Sequence, residues 1–178
     1  MGPSSRDRAL GALVVAAGVA FQSAWLGRAA ALLSVALVLS YVVWLQAWSV
    51  AGRRLHLTYW VGLAVFLCHA SEEFLTGFQR ELPALVGARW TDARFLIFIG
   101  VWLTAFVIAG LGLRQRHPLA VLIVLFFALA GGVLNGIGHL GLAVLRGGYF
   151  PGAWTAPLCL VVGVSLLRQL FTSEDTHP

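Results

Sequence analysis

The sequence predicts an all-α fold: a polytopic integral membrane helical bundle with about six transmembrane helices. Three observations predict it. Of the 178 residues, 60% are hydrophobic and only 11% are charged, against about 25% charged in a soluble domain. The mean hydropathy is +0.87. The apolar stretches reach the ~20 residues that a spanning helix needs, and short runs of glycine, proline and arginine separate them. A chain of this length forms one domain, covering 1–178.

Six spans follow in order. The first covers about 9–26 and the second about 29–50, parted only by Gly27 and Arg28. The third covers about 57–79. A polar loop, RELPALVGARWTDAR, comes next, and the fourth span covers about 93–113. Arg114, Arg116, His117 and Pro118 make a tight turn into the fifth span, 118–146, which is long enough to tilt or break near Gly131 and Gly132. The sixth covers about 152–171, with a polar tail at 172–178. Thr91 and Asp92 are placed to cap the fourth span. Trp44, Trp48, Trp60, Trp90 and Trp102 suit interfacial aromatic belts. His56 and His117 sit in turns beside arginines and are expected to be exposed, and His177 lies in the tail.

All 12 basic residues are arginine, and the net charge is +5. These arginines fall in loops and ends, so they report topology and not a nucleic-acid surface. Arg6, Arg8, Arg53, Arg54, Arg114, Arg116 and Arg168 collect on one side. Arg28, Arg80, Arg89, Arg94 and Arg146 collect on the other. The positive-inside rule then puts both termini in the cytoplasm. Cys68 and Cys159 lie in apolar stretches, without metal-type pairing, and read as buried thiols. Six short spans leave little protein around a midplane cavity, so a homodimer is an open option.

Charge inside the third span carries the functional signal. His69, Glu72 and Glu73 lie within LTYWVGLAVFLCHASEEFLTGFQ. A carboxylate in hydrocarbon costs roughly 2.5–3.5 kcal/mol on insertion scales, so these groups need a metal, a shared proton or a water cavity. Positions i, i+3 and i+4 share a helix face, which groups His69 with both glutamates. Asn135 and His139 share a face of the fifth span, among Gly131, Gly132, Gly136, Gly138 and Gly141. With both termini inside, both sets lie in the outer half at about 10 Å from the same end.

Two histidines and one carboxylate, with a fourth position for water, make a catalytic zinc site. The expectation is a divalent metal on His69, His139 and Glu73, zinc ahead of iron, with Glu72 as general base. The reverse assignment of the two glutamates is nearly as good. Asn135 would position water or an oxyanion. Arg146 and Tyr149 are further candidates to bind substrate: Arg146 can hold an anionic group or else anchor its helix end, and Tyr149 stands in an interfacial turn.

His69-Ala70-Ser71-Glu72-Glu73, NGIGH from Asn135 to His139, and Tyr149, Pro151, Gly152 and Thr155 in YFPGAWT together resemble the HXXEE family. The resemblance covers about 57–171. It implies a small bacterial integral membrane protein, of the cytoplasmic membrane, in which the histidines and glutamates form an enzyme site; it names no reaction. Intramembrane CAAX-type proteases carry a Glu-Glu pair followed four residues later by arginine. Gly77 stands there in this chain, and Asn135 and His139 occur in the opposite order, so the chain is not assigned to that family.

The expected function is a membrane-embedded metallohydrolase acting on a lipid-like substrate that reaches the site from the bilayer. One alternative is a proton- or cation-coupled carrier, or a small-ligand binding protein, in which Glu72 and Glu73 share a proton. Another is an iron-dependent membrane oxidoreductase.

Overall fold

Every regular element among the described residues is helical, and no strand occurs among them. The computed structural model describes residues 3–46, 53–115 and 117–172. The expectations for Trp48, Arg116 and His177, for 47–50 of the second span, for most of the polar tail and for the side chains of Arg53 and Arg54 fall outside the described residues.

The first leg, α1 (Ser5–Leu26), opens on a capping box in which the Ser4 hydroxyl accepts from the Asp7 amide and Asp7 accepts from the Ser4 amide. The leg ends at Gly27, whose positive φ of 60° breaks the helix. One turn of 3-10 helix, Gly27–Ala30, leads into α2 (Ala31–Gln46). The two legs run antiparallel. The Tyr41 hydroxyl donates to Arg8 O at 2.9 Å, and the Ser34 hydroxyl donates to the buried Gln22 Oε1 at 3.1 Å.

After α3 (Arg53–Thr76) the chain bends by 77° into the short α4 (Phe78–Leu85). Gly77, at φ 91°, is the pivot. Thr91 caps α5 (Asp92–Arg114) by accepting from the Arg94 amide at 3.1 Å. Pro118 opens α6 (Pro118–Phe126), where its missing N–H costs nothing. The helix then widens through a π-helical segment, Phe127–Leu134, and continues as α7 (Asn135–Arg146). The last leg is α8 (Ala156–Phe171).

Three helical stretches are long and apolar enough to cross a membrane, and four if bent α3–α4 is one span. The stretch Ser5–Gln46 counts once there, yet it is the α1–α2 hairpin; α8 is a shorter apolar helix of 16 residues. Among the described residues the result is a bundle of six long legs.

Several boundaries differ from the sequence reading. The span expected at 57–79 stops at Thr76, because Gly77 turns the chain. The following polar loop contains α4, whose apolar face is too short to show in a hydropathy window. The span expected from 152 starts at Ala156, since turns occupy 151–155. Trp44 and Trp102 are core residues and not belt residues; Trp44 reaches across to donate to Pro118 O at 2.9 Å. His56 is half-buried and accepts from Trp60 Nε1 at 3.0 Å, whereas His117 is exposed. Cys68 is exposed on α3, and only Cys159 is buried.

Close backbone contact holds α8 against the π-helical segment. A Cβ on Gly132 would lie 2.4 Å from Gly163 Cα, and one on Gly163 would lie 2.7 Å from Ala128 O. No larger residue fits either place, the usual reason for paired small residues between membrane helices. Phe127 fills the centre beside Tyr59, Phe66 and Phe106, with ring centroids 5.3, 5.8 and 4.9 Å away.

Candidate metal centre

One helical turn separates His69 from Glu73 on α3, so both side chains point into the bundle from one face. His139 on α7 meets them. All three are buried, at 0%, 4% and 4% exposure. Glu73 Oε1 lies 3.0 Å from His139 Nε2 and 3.6 Å from His69 Nε2. One ligand atom from each residue can be chosen so that all lie within 4.8 Å of one another. The two imidazoles stand edge to face, with centroids 4.7 Å apart.

The surrounding hydrogen bonds fix the protons. His139 Nδ1 contacts Pro151 O at 2.5 Å. A carbonyl only accepts, so Nδ1 carries the hydrogen. His69 Nδ1 lies 2.7 Å from Thr155 Oγ1, and that hydroxyl donates its single proton to Glu72 Oε2 at 2.6 Å. Thr155 therefore accepts from His69, and Nδ1 carries the hydrogen there too. With Nδ1 carrying the hydrogen, each ring in its neutral form turns an Nε2 lone pair toward the Glu73 carboxylate. Three acceptors converge with no donor between them, and His69 Nε2 is buried without a hydrogen-bond partner. Such a cluster requires positive charge. A proton on His139 Nε2 would satisfy the 3.0 Å contact to Glu73 but leave His69 Nε2 orphaned. A metal cation would satisfy all three atoms. Ligating histidines whose Nδ1–H is held by an outer partner are the usual arrangement in metal sites. The donor set fits a divalent ion such as zinc.

Glu72, next in sequence to Glu73, is turned about 100° around the helix and does different work. Its Oε1 accepts from the Tyr149 hydroxyl at 2.7 Å and the Trp154 amide at 3.0 Å. Its Oε2 accepts from the Thr155 amide at 2.9 Å and the Thr155 hydroxyl. About four lone-pair positions are all a carboxylate has, so none is left for a general base. Nor do Glu72 and Glu73 face a common proton. Glu72 instead ties the loop between α7 and α8 to α3, and through Thr155 it orients His69. Burial raises the Tyr149 phenol above its ordinary pKa, and the neighbouring Glu72 carboxylate adds to this, so Tyr149 stays a donor.

Gly152 closes the site from the loop. Its φ is +88°, and a Cβ there would lie 2.5 Å from His139 Nδ1 and 2.9 Å from His69 Cε1. Phe78, the first residue of α4, covers His139 with ring centroids 5.0 Å apart.

Asn135 is half-buried and lines the cavity beside Glu73 and His139; its backbone N–H donates to Ala130 O, and its side chain makes no hydrogen bond to a described residue. Arg146 lies outside the cluster and pairs with Glu81 of α4 at 2.8 Å. Tyr149 serves Glu72. The sequence reading placed Pro151, Gly152 and Thr155 in a family block after the fifth span but gave them no part in the metal centre. The signal that could have found them is the unmet demand of Glu72 for donors, which a loop rich in N–H and O–H groups can supply.

A family model described as a protein of unknown function with HXXEE motif matches residues 60–166. The motif residues His69, Glu72 and Glu73, together with Asn135, His139 and the 149–155 loop, lie inside that stretch. No curated protein and no solved structure matches. The chain belongs to the HXXEE-motif family.

Proposed function

We propose that this HXXEE-family protein is a membrane-embedded, metal-dependent hydrolase acting on a lipid-like substrate that enters from the bilayer. The observation that carries this reading is the orphaned Nε2 of His69, converging with His139 Nε2 on Glu73. His69, His139 and Glu73 would hold the ion, zinc before iron. When bound, such an ion supplies Lewis acidity, which makes water acidic enough to act as a nucleophile near neutral pH.

The chain's own groups carry the remaining work. Thr155 and the Pro151 carbonyl hold both imidazoles in the Nδ1–H tautomer. Glu73 Oε1 makes the contacts to both histidines, and its other oxygen can take the proton that water loses. Water oxygen bonds to the acyl carbon or phosphorus, the ester C–O or P–O bond breaks, and the leaving alkoxide takes that proton back. Asn135 supplies N–H donors to the oxygen on which charge develops. The apolar cavity excludes bulk water and so strengthens each of these interactions.

Elemental analysis of detergent-purified protein tests the reading. Wild type is expected to hold near-stoichiometric zinc, and His139→Ala and Glu73→Gln are expected to lose it while remaining folded. Full metal content in both variants, or none in chelator-free wild type, would overturn it. Iron in place of zinc would favour the oxidoreductase alternative.

One observation favours a second reading. The 3.0 Å contact from His139 Nε2 to Glu73 is also the distance of a shared proton. A proton-coupled carrier would use that pair, with no metal and with flux in liposomes driven by a pH gradient.

A further inference from the structure

A cavity of about 320 Å³ opens beside the site, at the lower end of the ~300–1,000 Å³ typical of ligand pockets. Its polarity is graded. Arg28, on the turn between α1 and α2, stands at the mouth; it is exposed, with no partner among the described residues. Glu73, His139 and Asn135 come next. Below them the lining is aromatic and aliphatic: Phe66, Phe98, Ile99, Trp102, Phe106 and Phe126. From Phe95 to Phe106, α5 runs inward by about 16 Å at its usual rise. The rim holds Leu32, at 71% exposure, and the exposed Gly138. Exposed apolar residues at its edge suit an opening that a lipid chain can enter from the bilayer.

We infer that this cavity binds a single-chain lipid with a small anionic head, the head at Arg28 and the chain in the Phe98–Phe126 well. A two-chain phospholipid is too bulky for the volume. The anionic head follows from an unpaired guanidinium at one end of the cavity, with the aromatic and aliphatic lining lying beyond the Glu73–His139–Asn135 cluster. The bond joining head to chain then lies at the level of Glu73, His139 and Asn135. Only this last step rests on the hydrolase reading; the well stands without the metal.

The test is photolabelling with palmitic acid carrying a diazirine at its chain end, on full-length protein in neutral phosphatidylcholine nanodiscs. Adducts are expected on Phe98–Phe106 and Phe126–Leu134, and excess unlabelled palmitate or dodecyl phosphate is expected to compete. Ile99→Trp fills the well and should cut these adducts about tenfold, the effect of one lost contact cluster. Leu33→Trp, another lining position, gives a second filled well should the first variant not fold. Arg28→Ala should weaken capture of palmitate but not of a matching long-chain alcohol probe. Uncompeted labelling spread over outward residues such as Val35, Leu96 and Ile108 would mean annular lipid only and would overturn the inference. So would unchanged labelling in a folded filled-well variant. Glu73→Gln separates the two proposals: it should lose metal and keep the chain-end adducts. A wild type that holds zinc but gives no adduct in the well would sink the lipid site and leave the metal centre standing.

Discussion

The Thr155 hydroxyl has one proton and two interactions, and the geometry of the His69–Glu73–His139 cluster depends on how it uses them. It donates to Glu72 and accepts from His69 Nδ1, while the Thr155 amide also binds Glu72. Thr155→Val keeps the shape and removes the hydroxyl. The expected result is a 10–100-fold loss of metal affinity, the usual effect of losing an outer partner of a ligating histidine. Thr155→Ser should restore most of it, and a competitive chelator titration measures both. Gly152→Ala should be harsher, because its Cβ would collide with both imidazoles at a backbone angle that favours glycine. The residues of the cluster itself were legible in the sequence. A histidine and carboxylate one turn apart in an apolar run declare a buried demand for charge, and Asn135 and His139 at matching depth declare a second face. The division of labour between Glu72 and Glu73 was not legible. It depends on a loop more than 75 residues away, and adjacent helix positions differ only in which neighbour they meet.

At the scale of elements, two kinds of contact hold the site's helices, and their magnitudes differ. Arg146 and Glu81 link the end of α7 to α4 at 2.8 Å, but both are about half exposed. Such pairs contribute about 0–1 kcal/mol, so Glu81→Gln should move the melting temperature in detergent very little. Gly132 and Gly163 let the π-helical segment touch α8 backbone to backbone. Gly163→Leu forces those helices apart, and overpacking of this kind costs about 1–3 kcal/mol or more. A clear fall in melting temperature is expected, with metal lost as α8 and its preceding loop shift; an unchanged melting curve would show that the packing is not tight. The glycines near 131 and 132 signalled an irregular helix, and the chain answers with a wider π-helical run instead of a break. That outcome was not readable from composition, since a break and a widened turn both tolerate glycine. The bend at Gly77 was hidden for a related reason: hydropathy reads continuously through residue 79, and only the positive φ turns the chain.

At the scale of the whole molecule, the six legs sort the arginines to two ends. Arg6, Arg8, Arg114 and Arg168 lie at helix ends on one side. Arg28, Arg80, Arg89, Arg94 and Arg146 lie at the other, the side nearer the His69–Glu73–His139 cluster and the mouth of the cavity. Arg53, Arg54 and Arg116 add to the first group by sequence, which makes it seven against five. The positive-inside rule counts such residues near the ends of spans, and by that count the first end is expected to face the cytoplasm. Two exposed turns test this. Gly148 follows α7, with open space around its Cβ, and Gln115 follows α5. In intact cells a membrane-impermeant maleimide should label Gly148→Cys and not Gln115→Cys, with the wild-type Cys68 and Cys159 setting the background. Breaking the cells should expose Gln115→Cys. The opposite pattern would invert the bundle without altering any contact inside it. Arg28 and the cavity mouth would then face the inner leaflet, and the anionic chain that the well takes would have to be drawn from lipids on the cytoplasmic side.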